Sequence, residues 1–324
     1  MSKQKILVTG ANGQLGTVLS KALIERYGND SVITSDLRDK ANSPNVHEIL
    51  DATDTAGLKR IITTHGITEI YHLAAVLSAK GEEDPIRTWE INLKSLLSVL
   101  SVAAEHMLNK VFFPSSIAVY GGDIRKWDTP QDAPLNPSTV YGISKAAGEN
   151  WANYYFTKYG LDVRSLRYPG IIGHESLPGG GTTDYAVDIF HKAVQGQKFD
   201  CYLHEDATLP MIYMDDAIRA TIELMEAPKN CISIRTSYNL QAASFRPKDV
   251  AKAIRKFYPD FQIDYKPDFR QDIAASWPYS LDDSKAREDW KWRPQFQLKD
   301  IVAEMISELS KQYTKQGYKT CTTI

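Results

Sequence analysis

The sequence predicts an α/β protein, a doubly wound parallel sheet followed by a smaller C-terminal lobe. Short apolar runs alternate with segments of helical period through the first half of the chain. Those runs are apolar at nearly every position, as strands covered on both faces must be. A glycine-punctuated turn joins the first run to the first helical segment. The 324 residues, 43% hydrophobic and 24% charged, match ordinary globular usage and exclude a disordered or fibrous chain. With 38 basic against 40 acidic side chains, a formal charge of -2, there is no basic excess to neutralise phosphates, so no nucleic-acid partner is expected.

Taken in order, Lys5 to Thr9 reads as the first strand and Leu15 to Tyr27 as the first helix. Ser31 to Ser35 is the next strand. A helix from Gly57 to His65 leads into the strand Glu69 to Leu73, and one from Ile91 to Met107 leads into Lys110 to Pro114. A helix around Tyr141 to Tyr159 and a strand from Asp162 to Arg167 continue the alternation. After about Gly170 the rhythm loosens. Gly179, Gly180, Gly181 and scattered prolines break the chain into shorter segments, leaving two plain helices, Pro247 to Phe257 and Leu298 to Gln312. The expected division is residues 1–170 for the first lobe, with segments near 205–242 returning to it, 171–312 mainly for the second lobe, and 313–324 as a polar tail.

Only a short polar start precedes Ile6, too little for a signal or transit peptide, and no stretch approaches the roughly 18 apolar residues of a membrane span. The expectation is a soluble, cytoplasmic protein with no membrane partner. Cys201, Cys231 and Cys321 are odd in number and widely spaced, suiting neither a disulfide framework nor a zinc site; no metal is expected. Cys321-Thr322-Thr323-Ile324 has the outline of a prenylation box, but threonines stand where its aliphatic pair belongs, so lipidation is not expected.

The chemistry concentrates at strand ends. In Gly10-Ala11-Asn12-Gly13-Gln14-Leu15-Gly16, glycine at 10 permits the tight turn, at 13 lets backbone amides approach a pyrophosphate, and at 16 lets the helix pack on the strand. Asp36 follows twenty residues after Gly16 at the end of the second strand, where a carboxylate accepts from both adenine-ribose hydroxyls and repels a 2'-phosphate. That favours NAD, with Arg38 as a possible phosphate partner keeping NADP in play. Asp51-Ala52 suits the adenine edge, or an ordinary surface turn. Tyr141 and Lys145 are four apart and share a helix face. An ammonium near a phenol is expected to lower its pKa from roughly 10 towards the range a general base needs. Pro137-Ser138 offers cap chemistry just before that helix. Ser116 follows an apolar strand at its carboxyl end, facing the crevice where such sheets bind ligands, although serines there also cap turns. His72 lacks metal partners at useful spacing and reads as structural.

The glycine motif, Asp36, His72-Leu73-Ala74-Ala75, Asn92, the Ser116 segment, Tyr141/Lys145 and Arg167-Tyr168-Pro169-Gly170 occur in the order and spacing of the extended short-chain dehydrogenase/reductase superfamily, which this chain resembles over nearly its whole length. The resemblance implies a Rossmann sheet binding NAD and pairing into a homodimer. It implies Tyr141 as proton acceptor, Lys145 on the nicotinamide ribose, Ser116 on the reacting oxygen and Asn92 supporting the site. The cofactor lining carried over also includes Asn12, Gln14, Leu15, Leu37, Leu73, Ala74, Ala75, Tyr168, Pro169 and Ile171.

Most extended members act on nucleotide sugars and carry Asn where this chain has Gly170. Residues 180–193, Met211 to Ala217 and the Ser276 to Trp290 region are instead similar to the metal-free, short-chain L-threonine 3-dehydrogenases. This closer resemblance implies oxidation of L-threonine to L-2-amino-3-oxobutanoate, with Ser78, Thr182, Thr183 and Asp184 as substrate ligands and Asp184 as counter-charge to the ammonium. Trp277 would close over the substrate, unless it is a plain core aromatic. Either threonine could instead cap the following helix, and Asp215 and Asp216 read as caps of theirs. Two other readings stand beside this one: a nucleotide-sugar epimerase or dehydratase, and a non-catalytic NAD sensor, against which the intact Ser116, Tyr141 and Lys145 speak.

Overall fold

The computed structural model describes residues 4–40 and 45–316; the Cys321 segment lies outside them. The first half runs β1 (Ile6–Thr9), α1 (Gln14–Tyr27), β2 (Val32–Asp36), β3 (His47–Ile49), α2 (Thr55–His65), β4 (Glu69–His72), α3 (Ser78–Gly81), α4 (Pro85–Glu105), β5 (Lys110–Ser116), α5 (Val140–Tyr159) and β6 (Asp162–Tyr168). Then follow β7 (Gly170–Ile172), α6 (Tyr185–Val194), β8 (Phe199–Cys201), β9 (Leu209–Tyr213), α7 (Met214–Glu226), β10 (Tyr238–Asn239), β11 (Ala243–Phe245), α8 (Pro247–Ile254), β12 (Ile263–Tyr265), α9 (Phe269–Ser276), α10 (Ser284–Trp290) and α11 (Leu298–Lys315).

Seven strands form one parallel sheet in the order β10-β6-β5-β4-β1-β2-β3. The order reverses between β1 and β4, so a crevice opens at their carboxyl ends. Alternation along each strand feeds two cores. Ile6 and Val8 pack with Leu19 and Leu23 of α1 and with α7, whereas Leu7 packs with α2, α4 and α5 on the other face. The sheet is therefore doubly wound.

Helix starts differ from expectation where a cap was overlooked. α4 begins at Pro85 rather than Ile91 because Asp84 accepts from the Arg87 amide at 3.2 Å. α5 is capped by Thr139, which accepts from Gly142 N at 3.1 Å, not by Pro137-Ser138.

The second lobe holds a three-stranded sheet, β11-β9-β7, a β8–β12 pair, and the helices α6, α8, α9 and α11 around their own core. The expected return of 205–242 is only partial. β9 belongs to the small sheet, while α7 and β10 rejoin the large one. Trp290 and Trp292 bury on the α1–α7 side as well, so the end of α10 also returns. Residue 313 does not open a polar tail: α11 continues to Lys315, and the Tyr313 hydroxyl meets His191 Nδ1 at 2.9 Å. Among the described residues no helix is long and apolar enough to cross a membrane.

Candidate active site

At the β1–α1 junction Gly10 has φ +73°, and a Cβ there would lie 2.6 Å from Ala74 N. A Cβ on Gly16 would lie 2.3 Å from Gly10 O, so only glycine lets α1 begin this close to β1. The N-cap of α1 is Gly13, with no side chain bonded to the first amides and no acidic residue in the first turn. Those free N–H groups and the positive end of the helix dipole make an anion seat of the kind a pyrophosphate fills. Asp36 ends β2 beside it and accepts from Asn12 N at 3.0 Å through Oδ2, leaving Oδ1 for ribose hydroxyls. The Asn12 amide donates to Arg38 O at 2.9 Å, and its own Oδ1 is buried without a hydrogen-bond partner among the described residues. Leu37 and Arg38 are exposed at the rim. Asp51 lines the crevice too, but its Oδ1 accepts from Thr53 N and Oγ1, both at 2.8 Å, which is turn chemistry.

Three residues of α5, each four apart, grip three successive residues of β5. Tyr141 shares a side-chain hydrogen bond with Ser116, Lys145 Nζ donates to Pro114 O at 2.7 Å, and Glu149 Oε1 accepts from Ser115 Oγ at 2.6 Å. Ser116 Oγ also accepts from Ala118 N at 3.2 Å. The pairing of phenol and ammonium departs from expectation in one respect. Burial pushes the Tyr141 phenol up to about 12, opposed only by the Ser116 hydrogen bond, and brings Lys145 down to about 7. Lys145 Nζ lies 5.4 Å from the Tyr141 ring centroid, spends a donor on Pro114 and faces the Phe113 ring at 4.7 Å; desolvation outweighs its field. His72 is structural, bonded through Nδ1 to Thr9 Oγ1 at 2.9 Å and kept neutral by burial at a pKa of about 3.

At the far end, the Ser78 and Thr182 hydroxyls meet at 3.4 Å. Asp184 Oδ2 accepts from Gly180 N at 2.9 Å and Gly181 N at 2.8 Å, folding the glycine loop over the crevice. Burial raises the Asp184 pKa, with the loop amides and the Arg270 charge opposing. Asp184 is the N-cap residue of α6, so neither Thr182 nor Thr183 caps that helix. Thr183 instead lies against Gly170, where a Cβ would come within 2.8 Å of Thr183 Cβ and 2.4 Å of Met211 Sδ. Trp277 is buried in the wall of the same crevice. Asp216 does not cap α7 either; its Oδ2 accepts from Gln295 N at 2.8 Å and Phe296 N at 3.0 Å.

These groups line a single cleft of about 500 Å³ that runs from Asp36 past Gly13 and Lys145 to Asp184. Of the residues expected from sequence to hold cofactor or substrate, Asn92 alone does not line it. Its amide is consumed by both main-chain groups of Val76, at 2.8 and 3.1 Å, and by Ser144 Oγ at 3.3 Å. It pins the segment after β4, which lines the cleft, from behind. Sequence reasoning missed Leu50, Val76, Leu77 and Ile117, apolar residues of the wall at strand ends with no motif to mark them.

Residues 6–246 match the model of the NAD dependent epimerase/dehydratase family. The chain belongs to that family. It is 45% identical over 313 residues to the mitochondrial L-threonine 3-dehydrogenase of Bos taurus, covering 94% of this chain and 82% of that one. It superposes on the holo form of the GalE-like L-threonine dehydrogenase from Cupriavidus necator with a TM-score of 0.93 at 54% identity, over 94% of this chain and 99% of that one. A monomeric L-threonine 3-dehydrogenase from a metagenome matches at TM-score 0.92 and 46% identity, over 95% and 99% of the two chains.

As a member of the NAD-dependent epimerase/dehydratase family, the chain takes NAD, and the cradle fits it. The bare α1 N-terminus suits the pyrophosphate and the Asp36 carboxylate the ribose diol, where its charge disfavours a 2'-phosphate. Tyr141, Lys145 and Ser116 converge where β5 ends, as an alcohol–carbonyl interconversion requires.

Proposed function

We propose that the protein oxidises L-threonine at C3 with NAD, yielding L-2-amino-3-oxobutanoate. The observation that carries this reading is the Gly170–Thr183 contact. Where nucleotide-sugar enzymes of this fold place an asparagine, this chain has no side chain, and the threonine of the glycine loop fills the space. The far end of the cleft is lined by Ser78, Thr182, Asp184 and Trp277, two hydroxyls and a carboxylate beside an aromatic wall, which suit the charged groups of a free amino acid. The threonine dehydrogenases similar to this chain over more than nine-tenths of its length support the same substrate.

In this reading Asp184 opposes the substrate ammonium, and the Ser78 and Thr182 hydroxyls receive the carboxylate. Bound NAD supplies the oxidised ring that accepts the C3 hydride. Tyr141, as phenolate, takes the C3 hydroxyl proton, and Ser116 donates to the oxygen as it becomes a carbonyl. Lys145 is anchored on Pro114 O beside the phenol, where its protonated form favours the phenolate. The deciding assay incubates purified protein and NAD with L-threonine or with UDP-glucose and follows absorbance of reduced nicotinamide. Reduction with threonine alone is expected; an inert threonine arm, with sugar epimer formed in the other, refutes the reading.

We also infer a homodimer. Trp89, Leu93 and Leu97 on α4 and Trp151, Tyr154 and Tyr159 on α5 form an incompletely covered apolar face of the kind that marks an interface. A monomeric mass by light scattering would exclude it, and the monomeric relative makes that measurement necessary.

A further inference from the structure

We infer that Lys126 is a positioning residue that fixes Trp277 at the substrate end of the cleft, an inference resting on the assignment of that end to an amino acid. Lys126 lies in the loop between β5 and α5, far in sequence from the residues it holds. Its Nζ donates to three successive carbonyls, Ala275 O at 3.0 Å, Ser276 O at 2.8 Å and Trp277 O at 3.1 Å. An ammonium has three donors, and all three are spent here. The acceptors are the carbonyls at the close of α9, the negative end of its dipole, which favours a cation.

The main chain of the same residue holds the other side of Trp277. Lys126 O accepts from Tyr279 N at 2.7 Å and Ser280 N at 3.1 Å. Asp128 N and Thr129 N then donate to Ser280 Oγ at 2.7 Å and Ser280 O at 3.0 Å. Trp277 thus sits between two sets of bonds that meet in one lysine.

The indole has no polar anchor of its own. Trp277 is 4% exposed, yet its Nε1 has no hydrogen-bond partner among the described residues. Packing and the main chain alone set where the ring lies, and Lys126 sets the main chain. The opposite end of α9 is tied to the facing wall. Arg270 stacks on the Tyr202 ring at 3.2 Å, and the Tyr202 hydroxyl donates at 3.5 Å to Gly181 O, in the loop that Asp184 holds. α9 is therefore a strut whose two ends adjoin Asp184 and Trp277, the two walls of the amino-acid end, and Lys126 fastens the Trp277 end.

The test compares the parent with Lys126→Met, which keeps the length of the side chain and removes its donors, and with Lys126→Arg, which restores a cation. Backbone hydrogen exchange of residues 274–282 is measured on the NAD complex, together with NAD affinity and the threonine KM and kcat. In Lys126→Met we expect exchange there and the threonine KM to rise by about tenfold, the scale of charge-assisted hydrogen bonds, with kcat falling less and NAD affinity within about twofold of the parent. Lys126→Arg should recover most of the KM. Unchanged exchange at 274–282, or faster exchange with an unchanged threonine KM, overturns the proposal. A parent protein inert towards threonine overturns the substrate assignment instead; exchange needs no substrate and still decides whether Lys126 holds the strut.

Discussion

Tyr141 and Lys145 face the same desolvation with opposite results. Burial favours the neutral form of each, so the phenol rises to about 12 and the ammonium falls to about 7. A proton acceptor must be deprotonated, and a raised pKa leaves that form populated only towards alkaline pH. Turnover should therefore climb from pH 7 to pH 10, and a profile flat across that interval would contradict Tyr141 as the base. Tyr141→Phe should cut kcat by about 10²–10⁴-fold, the usual contribution of general acid–base catalysis, while NAD affinity by fluorescence titration stays near that of the parent. Asp36→Asn acts at the other end of the cleft. It keeps an acceptor for Asn12 N but removes the charge that repels a 2'-phosphate, so the preference for NAD over NADP should shrink. An undiminished preference in steady-state kinetics would remove Asp36 from that role.

At the scale of elements, the grip of α5 on β5 continues beneath the cleft. Glu149, held by Ser115 Oγ, is fully buried and forms a two-pronged pair with Arg167, whose Nη2 lies 2.7 Å from Oε2. Arg167 also donates to Tyr120, Gln131 and Asn239, at 2.7, 2.9 and 3.1 Å. Every charge in the set is satisfied, so removing one partner strands the other. Glu149→Gln should cost about 3–5 kcal/mol in denaturant unfolding, and a loss below about 1 kcal/mol would mean that the arginine finds other partners. This network marks where the sequence stops being legible. Tyr141 and Lys145 could be read because both lie within one helical turn, and the glycines and Asp36 because turn and strand geometry are local. Glu149 is one more turn along the same face, but its significance depends on Arg167, which comes from another strand. Gly170 could be noticed only as a departure; that Thr183 fills its space is a tertiary fact. Asn92 carries the motif's spacing, yet its bonds go to Val76 and Ser144 and not into the cleft. The second lobe was blurred because β7, β8, β9, β11 and β12 are short and pair across long separations, leaving no period to find.

For the whole molecule, the central sheet carries a titratable group at its reversal point. His72 ends β4 beside β1, is 2% exposed, and has both ring nitrogens near hydroxyls, Thr9 Oγ1 at 2.9 Å and Ser95 Oγ at 3.4 Å. Burial, with the Lys145 charge adding to it, lowers its pKa from 6.5 to about 3. The unfolded chain binds a proton at His72 below about pH 6.5, and the folded protein does so only near 3. Between those limits the unfolded state holds the extra proton, so stability falls as the pH falls, by up to about 1.4 kcal/mol per pH unit from this one group. Carboxylates held low by their partners, such as Asp162 between Arg164 and Arg235, add acid sensitivity of their own, and the total slope does not identify its source. The variant His72→Gln separates them, because glutamine can bond to the same hydroxyls and does not titrate. Its stability at pH 7 should be lower, since a chain of different shape replaces the ring in a closed core. Its unfolding free energy should nonetheless decline less steeply between pH 6 and pH 4 than the parent's, measured in urea at each pH. Parallel slopes would mean that His72 takes up its proton in the folded protein as readily as in the unfolded chain, and the acid sensitivity of the sheet would then rest on its carboxylates alone.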